Sequence, residues 1–250
     1  MISQSRNVDI VWRVLRATEI SLVRCNVIRS VTIISLAIAM GLACLLAACG
    51  SSEESAPAPQ ASISASDLPN LVLPVAEVSV DGTTLPIDPE DSGPQLKADY
   101  TDSGFDSEWR QAFLEKYNWQ AAYYQDFGTG REGSPVFNAS VMVQLHDTPS
   151  NAAAALAAQL EHVVTLQGQT HEGLTLESVE LFEVDELNAR GSRLTWRQQD
   201  GSGYTMTNID FVRGSVVVDV GTATMDQRDL VPSTLELVRQ ADAHLRSSGV

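Results

Sequence analysis

The sequence predicts an α+β fold, with a single antiparallel sheet of about five to six strands and helices packed mainly on one face. Residues 137–145 alternate between core-type and other side chains, and Val216, Val218 and Val220 share one side of a second strand. Residues 149–167 and 229–246 instead space their apolar side chains as amphipathic helices do. Short loops between successive strands favour antiparallel pairing.

The individual elements follow in chain order. An aromatic residue recurs every four positions from Phe105 to Tyr117, which predicts a helix capped by Asp106 or Ser107. Strands are predicted at 119–127, 137–145, 174–184, 192–198, 204–213 and 215–222. Five prolines between residues 67 and 103 predict an ordered but irregular strap, with a short helix or edge strand near 75–80.

The composition is that of a folded protein that does not bind nucleic acid. Of the 250 residues, 44% are hydrophobic and 19% are charged, so wholesale disorder is not expected. There are 16 Lys and Arg residues against 32 Asp and Glu residues, which gives a net charge of −16. Lys97 and Lys116 are the only lysines, whereas neutralising phosphates requires clustered cationic side chains.

An apolar stretch near the N-terminus has the organisation of an export signal. Residues 31–48 carry no charge and follow Arg24 and Arg29, the order of a positive n-region and an apolar h-region. A membrane-spanning helix is the competing interpretation, because a span needs about 20 apolar residues. The end of the stretch, Leu46-Ala47-Ala48-Cys49, distinguishes the two.

These four residues resemble the lipobox of bacterial lipoproteins. The resemblance implies that signal peptidase recognises Leu46, Ala47 and Ala48, cuts before Cys49, and leaves Cys49 thioether-linked to diacylglycerol. The chain would then divide into a signal peptide (1–48), a lipidated cysteine with a disordered linker (49–66) and a single extracytoplasmic domain (67–250). Cys44 is a poorer candidate, because Gly41 stands three positions before it.

The predicted mature chain is more acidic than the whole. Removing residues 1–48 takes away five arginines and two acids, which leaves 11 basic and 30 acidic side chains and a net charge of −19. Such a surface repels anionic headgroups, so we expect the membrane to be contacted through the N-terminal lipid. The sequence leaves open whether the other partner is a small ligand or an envelope protein.

A second resemblance concerns the folded part, from residue 102 to 244. Trp119, the 137–143 strand, the alanine-rich helix at 152–160, and the hairpin FVRGSVVVDV at 211–220 are similar to extracellular domains of small bacterial lipoproteins. They are also similar to the sensor domains of some actinobacterial Ser/Thr kinases and, more distantly, to PsbP-like folds. The resemblance implies a binding or sensing module.

Motifs for catalysis are lacking in the sequence. Gly-x-Ser-x-Gly, the P-loop, G-x-G-x-x-G and H-E-x-x-H are all absent, so no catalytic residue, metal or cofactor is assigned. His162 and His171 are conceivable metal ligands, although a solvated helix face followed by a polar loop explains them more simply. Two acidic groups are conceivable calcium ligands without the EF-hand spacing: Asp99, Asp102, Asp106 and Glu108, and Asp88, Glu90 and Asp91.

Aromatic residues between 109 and 127 provide the remaining indication of a site. Tyr124, and with it Tyr123, could line a groove for a ligand, while core packing is the alternative. Two functions follow: a non-catalytic ligand-binding or sensing module, and a lipoprotein enzyme that acts on envelope polymers through carboxylates. Convergent buried acids with raised pKa values would favour the enzyme, and a shallow groove would favour the module.

Overall fold

The computed structural model describes residues 63–102, 106–128, 134–171 and 173–250. Its helices are a 3-10 turn at Ala65–Asn70, α1 (Lys97–Asp102), α2 (Ser107–Lys116), α3 (Pro149–Thr165) and α4 (Val231–Ser247). Its strands are β1 (Glu77–Val80), β2 (Thr83–Gln95), β3 (Trp119–Phe127), β4 (Val136–His146), β5 (Thr170–His171), β6 (Leu174–Val184), β7 (Ala189–Gln198), β8 (Gly203–Arg213) and β9 (Val216–Thr224). They form one antiparallel sheet in the order β1-β2-β3-β4-β9-β8-β7-β6-β5.

The sheet is larger than the sequence predicts, since it has nine strands instead of five or six. All six predicted strands are present, β1 matches the edge strand that was one alternative for 75–80, and the further strands are β2 and the short β5. The strap is therefore mostly sheet. The prolines of β2 obscured its strand pattern, and the pairing of β2 with β3 shifts register between Asp88 and Gly93, around Pro89.

One face of the sheet is an apolar core, here called the apolar face. Val216, Val218 and Val220 of β9 lie there with Phe211 of β8, and all four side chains are 0% exposed. The face is covered by α4 and by the 3-10 turn with its following residues, through Leu237, Val238, Leu245, Leu68, Leu71, Val72 and Leu73. Burial of this apolar surface is the main stabilisation of the fold.

Helix α4 is also fixed to the sheet by polar contacts. The hydroxyls of Thr222 on β9 and Thr234 on α4 lie 2.6 Å apart in the buried interface. The Nε of Arg213 donates a hydrogen bond of 2.6 Å to Asp242 Oδ1, and Arg246 contacts the other oxygen of Asp242 at 2.8 Å. Asp242 is buried, so these two guanidinium groups compensate a carboxylate that would otherwise be costly.

Helices cover both faces, so the expectation of helices mainly on one face is wrong. Helix α3 packs through Leu156 and Leu160 against Val217 of β9 and Val212 of β8. These residues alternate with Val216, Val218 and Phe211, and successive side chains of a strand point to opposite faces. Helix α3 therefore lies opposite α4, on the side here called the polar face. The two helical patterns in the sequence do not reveal which face each helix covers.

The described residues all belong to one compact unit. Among their helices, α3 and α4 are the longest at 17 residues each, and none combines the length and hydropathy needed to cross a membrane. Residues 1–62 lie outside the described part of the chain, so the predicted division at residues 48 and 66 stays a prediction.

Candidate functional site

Polar side chains gather in two rows across the polar face. The first row runs through directly paired residues of five strands, namely Asp126, Ser140, Gly221, Asn208 and Ser192. The second row lies beside it and consists of Tyr124, Met142, Asp219, Asp210 and Arg190. Because directly opposed residues share a face and lie about 5 Å apart, each row is continuous.

The centre of the second row is a pair of carboxyl groups, here called the acid pair. Asp210 of β8 and Asp219 of β9 are opposed in register, and their side chains share a hydrogen bond. Asp210 is 7% exposed and Asp219 is partly exposed. Two carboxylates cannot both be ionised at this separation without strong repulsion, so at least one must hold a proton.

Burial raises both pKa values, and repulsion by Asp219 adds to the effect at Asp210. Burial, followed by the charge of Asp219, raises the pKa of Asp210 well above its usual range. Burial raises the pKa of Asp219 to about 6, and the hydrogen bond from Asp210 acts in the opposite direction. Near neutral pH, Asp219 is therefore mostly ionised, while Asp210 holds its proton more tightly than an ordinary aspartic acid does.

No cation balances this charge within the described residues. The nearest cationic side chain in the row is Arg190, which is exposed and pairs with Glu183 at 3.6 Å. One oxygen of the pair, Asp210 Oδ1, is buried without a hydrogen-bond partner in that part of the chain. A buried acceptor left unsatisfied costs about 1–3 kcal/mol, which a bound donor would recover.

Gly221 leaves room in front of the first row. A Cβ atom at position 221 would lie 2.9 Å from Asn208 Oδ1, 2.9 Å from Ser140 Oγ and 3.9 Å from Asp219 Oδ1. Three side-chain oxygens on three strands thus converge around one point. A side chain at position 221 would crowd Asn208 and Ser140, which fits the presence of the smallest residue there.

Tyr124 lies at one end of the second row. Its hydroxyl donates a hydrogen bond of 3.0 Å to Asp126 Oδ1, which also accepts one of 2.9 Å from Asn138. It accepts a hydrogen bond from Ser140. Burial and the charge of Asp126 raise the pKa of Tyr124 well above its usual value, so the phenol stays protonated. Tyr124 therefore orients the hydroxyl of Ser140, which keeps its lone pairs free to accept.

Tyr123, the neighbouring candidate, lies on the other face. It is partly buried and packs against the apolar core. Tyr123 and Tyr124 therefore cannot line one groove, because adjacent strand residues point to opposite sides. The sequence places both aromatics together, but only Tyr124 contacts the polar rows.

Helices α1 and α3 border the site. Tyr100 of α1 is buried, and its hydroxyl accepts a hydrogen bond of 3.2 Å from Gln159 of α3. Gln159 also donates to Gln144 of β4 at 3.4 Å. Burial raises the pKa of Tyr100 to about 12, with a smaller contribution from the charge of Asp219. Tyr100 is thus a protonated phenol close enough to sense the acid pair.

One of the two predicted acidic groups is partly assembled. Asp88 and Asp91 come together with Asp126, each offering a carboxylate oxygen within 4.8 Å of the others. Protein donors already use these oxygens: Asp88 Oδ1 accepts from the backbone N–H groups of Glu90 and Asp91, and Asp126 Oδ1 accepts from Tyr124. Two of the three carboxylates are therefore engaged with protein donors through their Oδ1 atoms.

In the other predicted acidic group, Asp99 and Asp106 accept hydrogen bonds from backbone N–H groups at the starts of helices. Asp106 Oδ1 accepts a hydrogen bond of 2.9 Å from the backbone N–H of Trp109 and caps α2, as the sequence predicts. Asp99 Oδ2 lies 3.4 Å from the backbone N of Leu96, before α1. Carboxylates at these positions satisfy helix N–H groups. The side chain of Asp102 lies outside the described residues.

His162 is held by packing. Its ring stacks on Trp109 with centroids 3.7 Å apart, and its Nε2 lies 4.0 Å from Asp106 Oδ2. Burial lowers its pKa, partly opposed by the Asp106 charge. His171 lies in β5 at the far edge of the sheet. The structure thus gives His162 a role in joining α2 to α3.

The lipobox lies beyond the described residues. Leu46, Ala47, Ala48 and Cys49 all precede residue 63, where the description begins. The predicted lipidation and cleavage stay predictions from the sequence.

The acid pair is the feature that the sequence did not reveal. Asp219 interrupts a valine run, and Asp210 stands between the buried residues Ile209 and Phe211 of β8. An acid at an otherwise apolar strand position was a usable signal, because such a residue is rarely buried without a reason. That Asp210 and Asp219 oppose each other depends on the hairpin register, which the RG turn at 213–214 sets.

Comparisons with known proteins give only distant likenesses. No protein-family model matches the chain, and no curated protein matches it. The extracellular domain of PknH from Mycobacterium tuberculosis aligns with a TM-score of 0.47 and 12% identity, over 75% of this chain and 99% of that one. A protein of unknown function from Pseudomonas aeruginosa, PA94, aligns with a TM-score of 0.31 and 18% identity, over 50% and 82%. At these values nothing is carried over from either protein.

Proposed function

We propose that this chain is a lipid-anchored extracytoplasmic protein of a bacterium, and that it binds a small ligand on its polar face without catalysis. The observation that carries the binding proposal is the acid pair, which holds a negative charge and a buried oxygen, Asp210 Oδ1, without a hydrogen-bond partner among the described residues. The lipobox-like Leu46-Ala47-Ala48-Cys49 supports the anchor.

Burying such groups without a ligand is unfavourable, which supports a binding role. Asp210 is almost fully buried, and its neighbours in the two rows are polar where the equivalent positions of the apolar face carry valine and phenylalanine. Apolar residues of similar volume would stabilise the sheet more. Polar groups that converge at a cost to stability are typical of binding sites.

Binding can be tested on the full-length protein in detergent by NMR with four small probes. The probes are n-butylammonium, butyrate, n-butanol and glucose, which represent a cation, an anion, a neutral amphiphile and a sugar. We expect at least one probe to shift the backbone amide resonances of Asn208, Asp219 and Gly221 saturably. If none of the four does so, or if the saturable shifts fall on the apolar face instead, the binding proposal is wrong.

The anchor is tested separately by following Cys49→Ser in cells. Metabolic labelling with an alkyne fatty acid and membrane fractionation should show that Cys49→Ser loses both the label and signal-peptide cleavage. Cys44→Ser is the matched control and should keep both. If the wild-type protein is membrane-bound but unlabelled, and Cys49→Ser behaves identically, the apolar stretch is an ordinary membrane anchor.

Hydrolysis is the second candidate function, and the acid pair itself favours it. Two carboxyl groups that share one proton can activate a water molecule in aspartic-type hydrolysis. Glycoside cleavage fits less well, because its two carboxyl groups lie about 5–10 Å apart, whereas Asp210 and Asp219 are hydrogen-bonded directly. Release of fluorescent peptides from labelled casein at pH 4–6, present in the wild type and absent in Asp219→Asn, would replace the binding proposal with a hydrolase.

A further inference from the structure

Helix α3 contacts strand β9 on both sides of the acid pair. Near the start of β9, Leu156 of α3 packs with Val217. Near the end of β9, Val163 of α3 packs against the apolar cluster that includes Ala223. Asp219 lies between Val217 and Ala223 in the strand, and alternate residues of a strand share one face. Asp219 therefore lies beneath the part of α3 that joins these two contacts.

The same arrangement holds on strand β8. Leu160 of α3 belongs to the cluster against which Val212 packs, and Tyr204 belongs to the cluster that receives Val163. Asp210 lies between Val212 and Tyr204 on the same face. Its side chain is only 7% exposed, as expected for a residue under a helix. Helix α3 thus covers both members of the acid pair.

Helices α3 and α4 have 17 residues each, but they are held to the sheet differently. The buried residues of α3 are two alanines and two leucines, Ala152, Ala155, Leu156 and Leu160. Helix α4 buries larger side chains and a charged tie to β8, namely Leu237, Val238, Leu245 and the Asp242–Arg213 ion pair. The hydrogen bond from Gln159 of α3 to Gln144 of β4 is long, at 3.4 Å. An element with little buried apolar surface opens at a lower cost in free energy.

We propose that α3 is a movable cover, which lifts from the polar face while α4 and the sheet stay in place, and so opens the acid pair to a ligand. The proposal rests on the proposed binding function and says how that site is reached. Lifting would give water or a ligand access to Asp210 Oδ1, which is buried without a hydrogen-bond partner among the described residues. Elements that cover binding sites belong to the less stable parts of a fold.

Lifting of α3 should release a proton at neutral pH. With α3 in place, burial raises the pKa values of Asp210 and Asp219. In water an aspartic acid has a pKa of about 3.9, so the uncovered pair is fully ionised. The raised values favour the covered state at low pH, and this advantage is lost as pH rises. Each proton released makes the opening constant rise about tenfold per pH unit.

The other ionisable groups around the acid pair do not titrate between pH 7 and 8.5. They are Tyr124 and Asp126 of β3, Tyr100 of α1 with Arg110 behind it, and Arg190 of β7. The pKa values of both tyrosines are raised, so their phenols stay protonated. Strand β4 and helix α3 contribute the neutral Met142 and Gln159. Burial lowers the pKa of His162 on α3, so this ring is neutral in the same range.

The test is hydrogen exchange of the full-length protein in detergent, followed by mass spectrometry at pH 7 and 8.5. Most helical stability in proteins comes from tertiary packing, so a lifted α3 exposes its amides. We expect α3 to exchange at least about tenfold faster than α4 after correction for intrinsic rates. The opening constant of α3 should rise about tenfold between the two pH values. In Asp210→Asn this rise should disappear, and in the exposed control Asp185→Asn it should remain.

Two matched variants separate opening of α3 from unfolding of the whole domain. Ala157 of α3 and Ala243 of α4 are both exposed, and glycine weakens a helix at such a position about fivefold. Ala243→Gly should speed exchange of α4 about fivefold and leave α3 unchanged, because α3 opens before the domain unfolds. Ala157→Gly should speed exchange of both helices about fivefold.

Ligand binding gives a second measurement with the same variants. Any of n-butylammonium, butyrate, n-butanol and glucose that saturates the wild-type protein should bind Ala157→Gly about fivefold more tightly, since more of the protein is open. Its affinity for Ala243→Gly should equal that for the wild type. Equal affinities for Ala157→Gly and the wild type would show that the ligand reaches the acid pair without lifting α3.

Three exchange results would overturn the proposal. An equal effect of Ala243→Gly on both helices would show that α3 opens only when the domain unfolds. An opening constant of α3 that stays level from pH 7 to 8.5, or that still rises in Asp210→Asn, would show that lifting does not uncover the pair. These results need no ligand, so they stand even if none of the four probes binds and the proposed function fails.

Discussion

Two glycines, one on each side of the sheet, show how differently its faces are used. Gly191 of β7 lies on the apolar face, where a Cβ atom would approach the ring of Phe182 on β6 to 2.1–2.7 Å. Gly221 of β9 lies on the polar face, where a Cβ atom would meet only the tips of Asn208 and Ser140, at 2.9 Å each. The first glycine is covered by a neighbouring ring, and the second leaves a space among oxygens.

The comparison separates stability from function. An aromatic ring lying over a strand glycine buries apolar area and excludes water from the sheet. Oxygens converging over Gly221 bury little apolar area and hold an uncompensated charge. We therefore expect substitutions in the core of the apolar face to change the free energy of unfolding, and substitutions in the two rows of the polar face to change binding and pH dependence.

The largest effect is expected for Phe211→Ala on the apolar face. The ring is fully buried against Val218 and α4, so its removal leaves a cavity in the main core. Unfolding in urea should show a loss of about 3–5 kcal/mol. Met206→Ala, on the same strand but partly exposed on the polar face, is the control and should lose clearly less. Equal losses of unfolding free energy in the two variants would mean that the two faces contribute equally to stability.

A smaller effect is expected for Gly191→Ala. Its methyl group would overlap the ring of Phe182, and overpacking of this kind costs about 1–3 kcal/mol. The loss should largely disappear when Gly191→Ala is made in a Phe182→Ala background, because the clash then has no partner. A double-mutant cycle of urea unfolding measures this coupling, and additive losses would contradict the contact.

The acid pair should make stability fall as pH rises. Its raised pKa values mean that the folded protein binds protons more tightly than the unfolded chain, so the contribution to stability is present at low pH. It is lost as pH rises from about 4 through the raised values, by about 1–3 kcal/mol.

Asp219→Asn isolates this contribution. His146 and His162 have lowered pKa values, caused first by burial, and therefore destabilise the protein as pH falls below about 6.5. Wild type and variant share this histidine contribution, so the difference between their unfolding free energies at pH 5 and pH 8 reports the acid pair. Parallel profiles for the two proteins would show that the pair does not titrate in this range.

The smallest effect on stability is expected for Gly221→Ala. The neighbouring Asn208 and Ser140 groups are side-chain tips that can move by a few tenths of an ångström, and alanine restricts the unfolded chain. The free energy of unfolding should change by less than about 1 kcal/mol, in contrast to Gly191→Ala. A loss as large as that of Gly191→Ala would indicate a packed position instead of an open one.

The sequence predicted much of the fold because side-chain periodicity is local. The alternation in 137–145 and the spacing of apolar residues in 149–167 and 229–246 correspond to β4, α3 and α4. Strand β2 was not predicted as a strand, because Pro86, Pro89 and Pro94 break its pattern and only its partner β3 and a bulge accommodate them. The face that each helix covers depends on the path of the chain, which periodicity does not contain.

The candidate site was less predictable, because it is assembled across strands. Tyr124 was singled out from its aromatic neighbours, but its contacts to Asp126 and Ser140 depend on strand register. Asp210 and Asp219 are nine positions apart in the sequence and meet only because β8 and β9 form a hairpin. A pKa near 6 for Asp219 arises from burial, which the hydrogen bond from Asp210 partly opposes, and neither is visible in a residue pattern.

The most direct test of the polar face is a ¹³C NMR pH titration of the aspartate carboxyl carbons in the full-length protein. Asp210→Asn and Asp219→Asn assign the two signals. We predict that Asp219 titrates near pH 6 and Asp210 at higher pH, as expected for two buried carboxyl groups that share one proton. Two independent titrations near pH 4 would contradict the account, because the acid pair would then be two ordinary solvated carboxylates.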